Sequence, residues 1–173
     1  VTPGSPIDKE AYDRATSVYL VDRTVPMLPE KLCNLVCSLR PNEDKLCFSV
    51  VFEMTDKAEV KDYRIVKTVI CSDRRFTYEE AQEIIETENG DFAEEILAMN
   101  ALAKQLRANR FKQGAIAFER SEVRFNIDET GRPIGVYIKE SKDAHKLVEE
   151  FMLLANRTVA AHIGKVKQGK TPK

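Results

Sequence analysis

The side chains most able to do chemistry in this chain are carboxylates. They occur as adjacent pairs at Glu79-Glu80, Glu94-Glu95 and Glu149-Glu150. General acid–base work needs two carboxyls held in different environments, whereas adjacent acids on a helix are most often a solvated face. Glu149 is the exception, because it falls at the edge of an apolar stripe. The two histidines, His145 and His162, do not lie near a Ser or Cys in a triad-like pattern and read as surface residues. The cysteines are Cys33, Cys37, Cys47 and Cys71, with no CxxC pair. A zinc site is therefore not supported, and the four read as free, buried thiols of a reducing cytosol. The glycines are scattered and form no phosphate-cradling loop.

These residues must be placed by helices and hairpins. Ser5 or Asp8 caps a helix over Lys9–Val18, and Pro26 and Pro29 keep the following segment extended. Glu30–Cys37 reads as a turn or two of helix. Leu46–Met54 and Tyr63–Cys71 read as the strands of an antiparallel hairpin around the turn Thr55–Ala58. Thr77 with Glu80 is a capping-box pattern, and Ala81, Ile84 and Ile85 give the helix behind it an apolar stripe. Phe92–Phe111 reads as a long helix, ended by Gly114. Ala115–Phe118, Glu122–Ile127 and Ile134–Glu140 read as strands, the last two joined through Asp128–Gly131. A final helix spans Asp143–Ile163. At about 100° per residue, Ala144, Leu147, Val148, Phe151, Ala155 and Val159 share one face. Lys146, Glu150 and Arg157 take the opposite face, and Glu149 and Asn156 fall at the boundary beside Leu153 and Ala160. Hairpins and helices do not strictly alternate, so the expected class is α+β, a mixed, largely antiparallel sheet with packed helices.

The 173 residues suit one compact domain, and 43% hydrophobic with 32% charged residues predicts a folded chain. No apolar run approaches the ~20 residues of a membrane span. The net charge of −1 gives no support to nucleic-acid binding and does not exclude it, since local arrangement outweighs the sum.

Three blocks change the reading: RATSVYLVDRTVPMLPEKL (Arg14–Leu32) running on into CSLRPNED (Cys37–Asp44), GAIAFERSEVRF (Gly114–Phe125), and KDAHKLVEEFMLLANRTVA (Lys142–Ala160). Together they resemble the catalytic RNB domain of the ribonuclease II and ribonuclease R exoribonucleases, and the TSVYLVDR wording leans towards ribonuclease R. The resemblance covers nearly the whole chain. It implies a partial RNB domain over 1–163 and a flexible basic tail over 164–173. It further implies a processive, hydrolytic 3′→5′ exoribonuclease of the cytoplasm that degrades single-stranded RNA to nucleoside 5′-monophosphates. Tyr19 and Phe118 match the two aromatics that clamp the terminal bases. Stacking suits a sequence-blind enzyme, because every base offers a π face. From the residues alone, both read as core packing. Glu149 matches a glutamate that contacts a ribose, which would help to select RNA over DNA. Tyr78 matches a position near RNA, and Asn156 would support Glu149 or bond a phosphate. Arg14 and Arg40 could meet phosphates.

The same resemblance implies Mg²⁺ held by clustered aspartates that activate water. No DxxxxxDxDD-like cluster occurs in the sequence, and Asp8, Asp13 and Asp22 do not match one. The chain starts at Val1, and is expected to be a central piece of a longer enzyme. Further RNB and OB-fold segments would flank it, and no metal would be bound by this piece. Such a piece is expected to be inactive alone, and to self-associate by pairing of uncovered strand edges or by exchange of the N-terminal segment Val1–Pro29. A non-catalytic single-stranded RNA-binding module and a structural domain without RNA remain the other readings.

Overall fold

The computed structural model describes residues 1–116 and 122–164. The chain divides into two compact units, both α+β in content, matching the expected class.

The first unit opens with helix α1, Pro6–Arg14. It lies earlier than the expected Lys9–Val18. The Ser5 side chain accepts the Asp8 amide at 3.3 Å, and Pro6 takes the first helical position, where a missing N–H costs nothing. The chain then forms a two-residue ladder, β1 (Val18–Tyr19) with β2 (Thr24–Val25), in antiparallel register. A π-helical turn follows at Lys31–Val36, closed by the Cys37 amide on the Leu32 carbonyl at 2.8 Å. Strands β5 (Glu122–Ile127) and β6 (Pro133–Lys139) form an antiparallel hairpin. Its turn is set by Asp128, whose Oδ1 accepts the Thr130 amide at 2.8 Å and the Arg132 amide at 2.9 Å. Cross-strand pairs Val123–Ile138 and Phe125–Val136 place four apolar side chains on one exposed face. Among the described residues this unit has no buried side chain.

Strands β3 (Asp44–Met54) and β4 (Val60–Cys71) pair in a sheet of their own. The connection is too short for the dozen or more residues that a parallel crossover needs, so the pair is a hairpin. Stretches 46–54 and 60–68 belong to the second unit. Leu46 and Phe48 on β3 are exposed, and Ser49 and Thr68 join their hydroxyls at 2.6 Å. The strands thus form three two-stranded ladders among the described residues. The expected strand at Ala115–Phe118 does not form at 115 and 116, and its last two positions lie outside the described residues, as do tail positions 165–173.

The second unit is built on helices α2 (Tyr78–Thr87), α3 (Ala93–Lys112) and α4 (Asp143–Gly164), each packed on the other two. The capping box forms as expected, with Thr77 Oγ1 accepting the Glu80 amide at 3.1 Å and Glu80 Oε2 accepting the Thr77 amide at 2.7 Å. Ile84, Ala103 and Ala144 are buried, and the two alanines let helix backbones come close. Gly90 turns the chain between α2 and α3 at φ +137°, where an added Cβ would stand 2.8 Å from the Ile84 side chain. The start of α4 is tied to α2 by Gln82 Oε1, which accepts the Ala144 amide at 3.0 Å. That bond satisfies a donor that the helix itself leaves orphaned.

Candidate nucleic-acid interface

Tyr78 is the first residue of α2, and the capping box in front of it fixes where its ring emerges. That ring stacks on the imidazole of His145, centroids 4.1 Å apart and planes within 11°. His145 begins a stripe along α4. With Val148, Glu149, Met152, Leu153 and Asn156 it follows the three- and four-residue spacing of one helix face. Together with Tyr78 these side chains line a groove of about 240 Å³. Its walls are mostly apolar, with a phenol, a carboxylate, a carboxamide and an imidazole as the polar groups. Such a surface can stack a flat ring and accept a hydrogen bond from a hydroxyl.

The groove brings together three of the five candidate residues, Tyr78, Glu149 and Asn156. Tyr19 lies on β1 in the other unit with 78% of its surface exposed, so it is not a core aromatic of this chain. Phe118 lies outside the described residues.

The electrostatics of the face turn on Arg110. Its Nε reaches Glu150 Oε2 at 3.2 Å, and its Nη2 reaches Glu150 Oε1 at 2.5 Å and Glu149 Oε1 at 3.3 Å. Arg107 Nη1 stands 3.6 Å from Glu150. The Glu150 side chain is 2% exposed and that of Glu149 49%. The two members of the acidic pair therefore have different roles. Glu150 is a buried anchor, not part of the polar face that the helical wheel gave it. Glu149 is the carboxylate that solvent or a ligand can reach. The hydrogen bond with Glu150 raises the Arg110 pKa above its already high ordinary value, with burial opposing, so the guanidinium keeps its charge at any ordinary pH.

His145 is also corrected. It is half-buried under Tyr78, whereas His162 is exposed as expected, edge-on to Tyr63 at 5.9 Å. Placing His145 three and four residues before Val148 and Glu149 on one helix face would have revealed it. Arg14 is held by Glu10 at 2.8 Å and bonds the Pro26 carbonyl. Arg40 stands 3.4 Å from Glu43, which Lys45 also holds at 2.7 Å. Both arginines have intramolecular partners. The hydrogen bond from Lys45 is the main reason why the Glu43 pKa lies below the ordinary carboxylate range. The cysteines are all free, but Cys37 and Cys71 are exposed and the other two half-buried, so they are not the buried thiols expected.

Among the described residues, no three His, Cys, Asp or Glu side chains cluster as a metal site requires. The described residues do not fit a Mg²⁺ centre, and no hydrolytic step is assigned to them. No helix among the described residues is long and apolar enough to cross a membrane.

The model of the RNB domain matches residues 1–171. The chain is 41% identical to DIS3-like exonuclease 2 of Schizosaccharomyces pombe, over 95% of this chain and 20% of that protein. It is 40% identical to ribonuclease R of Aquifex aeolicus, over 94% of this chain and 24% of that protein. Among solved structures, Mycoplasma genitalium RNase R in complex with ribose-methylated single-stranded RNA superposes with a TM-score of 0.88 at 28% identity, covering 94% of this chain and 26% of the other. The chain thus spans about a quarter or less of these relatives' lengths. With its fold and sequence in agreement along nearly its entire length, the chain belongs to the RNB-domain family of exoribonucleases.

Proposed function

We propose that this chain grips single-stranded RNA near its 3′ end, within a hydrolytic 3′→5′ exoribonuclease that releases nucleoside 5′-monophosphates. The observation that carries this reading is the convergence of Tyr78, Glu149 and Asn156 on one groove, with the Tyr78 ring backed by His145. A base stacks on aromatic surface without regard to sequence, at about 1–3 kcal/mol per base. Glu149 accepts a ribose 2′-hydroxyl, which DNA lacks. Tyr19, exposed on β1, supplies a further stacking surface for the terminal bases, and Phe118 is its proposed partner. The hydrolysis belongs to Mg²⁺ on carboxylates elsewhere in the whole enzyme. The four unpaired cysteines fit a reducing compartment such as the cytoplasm.

The test is made in the whole protein, by comparing degradation of an RNA with that of the same strand carrying 2′-deoxyriboses at its 3′ end. Glu149→Ala should lower the preference for the ribose strand by about tenfold, the worth of a hydrogen bond to a charged group. Tyr78→Ala should slow both strands alike. An unchanged preference in Glu149→Ala contradicts the reading. Mononucleotide release by residues 1–173 alone in Mg²⁺ contradicts the assignment of hydrolysis to other parts of the enzyme. Failure of the whole protein to hydrolyse RNA favours a non-catalytic binding module.

A further inference from the structure

We infer that Arg110 is a positioning residue, anchored by the buried Glu150, that holds the Glu149 carboxylate in place to recognise a ribose. The inference rests on the reading of Glu149 given above.

A carboxylate with 2% exposure is costly to bury, and its charge is tolerated only when paired and hydrogen-bonded. Arg110 provides that pairing through two parallel bonds, the geometry at which a guanidinium is strongest. Packing alone does not call for this pair, since two well-fitted apolar side chains would hold α3 against α4 as well or better. The ion pair adds something that an apolar pair lacks, a guanidinium fixed in position with a donor to spare. Phe111 completes the fixing, its ring centroid 5.1 Å below the Arg110 guanidinium and 4.9 Å from that of Arg107. The spare donor is on Nη2, 3.3 Å from Glu149 Oε1.

The effect falls on a side chain that would otherwise be loose. A half-exposed glutamate loses rotamer freedom when a ligand fixes it. Arg110 removes part of that freedom before RNA arrives, and preorganisation of this kind raises affinity without a new contact. Only one Glu149 oxygen is used. Its Oε2 has no hydrogen-bond partner among the described residues and is available to accept a hydroxyl. The acidic pair is thus a relay, with one glutamate buried to fix the arginine and the other left at the groove for the arginine to orient.

The experiment measures, in the whole protein, the ratio of the Kd for a strand with 2′-deoxyriboses at its 3′ end to the Kd for the same strand made of RNA throughout. Removing Arg110 alone would strand the Glu150 charge, so the informative variant is Arg110→Met with Glu150→Met, which keeps α3 and α4 packed. It should keep the Tm of the native protein and lower the ratio by roughly fivefold, through the rotamer freedom restored to Glu149. Arg110→Lys, which keeps the charge without the fork, should lower it too, and serves alone if the double variant does not fold. Glu149→Ala separates the two ideas. If it abolishes the preference while both Arg110 variants keep it, Arg110 is only a brace and the inference is overturned, with the reading of Glu149 intact. If Glu149→Ala leaves the preference unchanged, both fall.

Discussion

The two units of this chain solve the burial of apolar side chains in opposite ways. In the second unit Ala58, Ile84, Ala103 and Ala144 are buried, together with Asn100 and Glu150. In the first, no described side chain is buried, and Val123, Phe125, Val136 and Ile138 form an apolar face open to solvent. The difference follows from the elements. Three helices that pack pairwise enclose a small core between them, whereas a two-stranded ribbon has two faces and nothing of its own to cover either. The groove with Tyr78, Glu149 and Asn156 is on the enclosed unit, where Tyr78 stacks on His145 of α4 and Glu149 accepts from Arg110 of α3. The clamp candidate Tyr19 is on the open unit, held by a two-residue ladder.

The contrast is broken most severely at Glu150, the buried charge of the second unit. Arg110→Met without a compensating change should destabilise the second unit by about 3 kcal/mol, because Glu150 is left with only the longer contact to Arg107. Chemical denaturation of the variant measures this. Loss of less than half that amount would mean that Arg107 or water takes over. Gly90→Ala should cost about 2 kcal/mol, from a positive φ and the 2.8 Å approach to Ile84. The midpoint of thermal unfolding reports it. On the open unit the corresponding change should do little. Phe125→Ser removes a large aromatic, yet its effect on the stability of the chain should stay within about 0.5 kcal/mol, as for other exposed positions. A larger loss would show that this face is covered in solution.

The smallest effect concerns pH. Hydrogen bonds from the Thr130 side chain and from backbone amides, chiefly that of Arg132, hold the Asp128 carboxyl below its ordinary pKa. A group depressed by folding stabilises the folded state above its unfolded pKa, and that contribution is lost as pH falls through the folded value. The β5–β6 turn should therefore be at full strength at neutral pH and loosen only in acid below the ordinary carboxylate range. Amide exchange at Thr130 and Arg132 across an acid titration reads this directly, and Asp128→Asn should abolish the pH dependence.

Local signals in the sequence were enough for most elements and few of the contacts between them. The capping box at Thr77 and the Asp128 turn lie within a few residues of the groups they satisfy, and both formed as read. Glu150 was misassigned because its burial depends on Arg107 and Arg110, about forty residues earlier, and a helical wheel of α4 alone cannot contain them. The arginines share a face of α3 at i and i+3, which is the signal that was there to find. His145 lies three and four residues before Val148 and Glu149, so its place on the groove face was legible, but its burial was not, since the ring that covers it belongs to α2. The separation of the strands into three ladders was not legible either, because alternation shows that a strand has two faces, not which strand lies beside it.

Amide hydrogen exchange of the whole protein, with and without oligonucleotide, decides whether the α4 face reads the ribose of single-stranded RNA. Exchange at Tyr78 and along 145–156 should slow when a single-stranded RNA is bound, with less protection there for DNA of the same sequence. Equal protection by both strands, or none in this segment at saturating RNA, would contradict it.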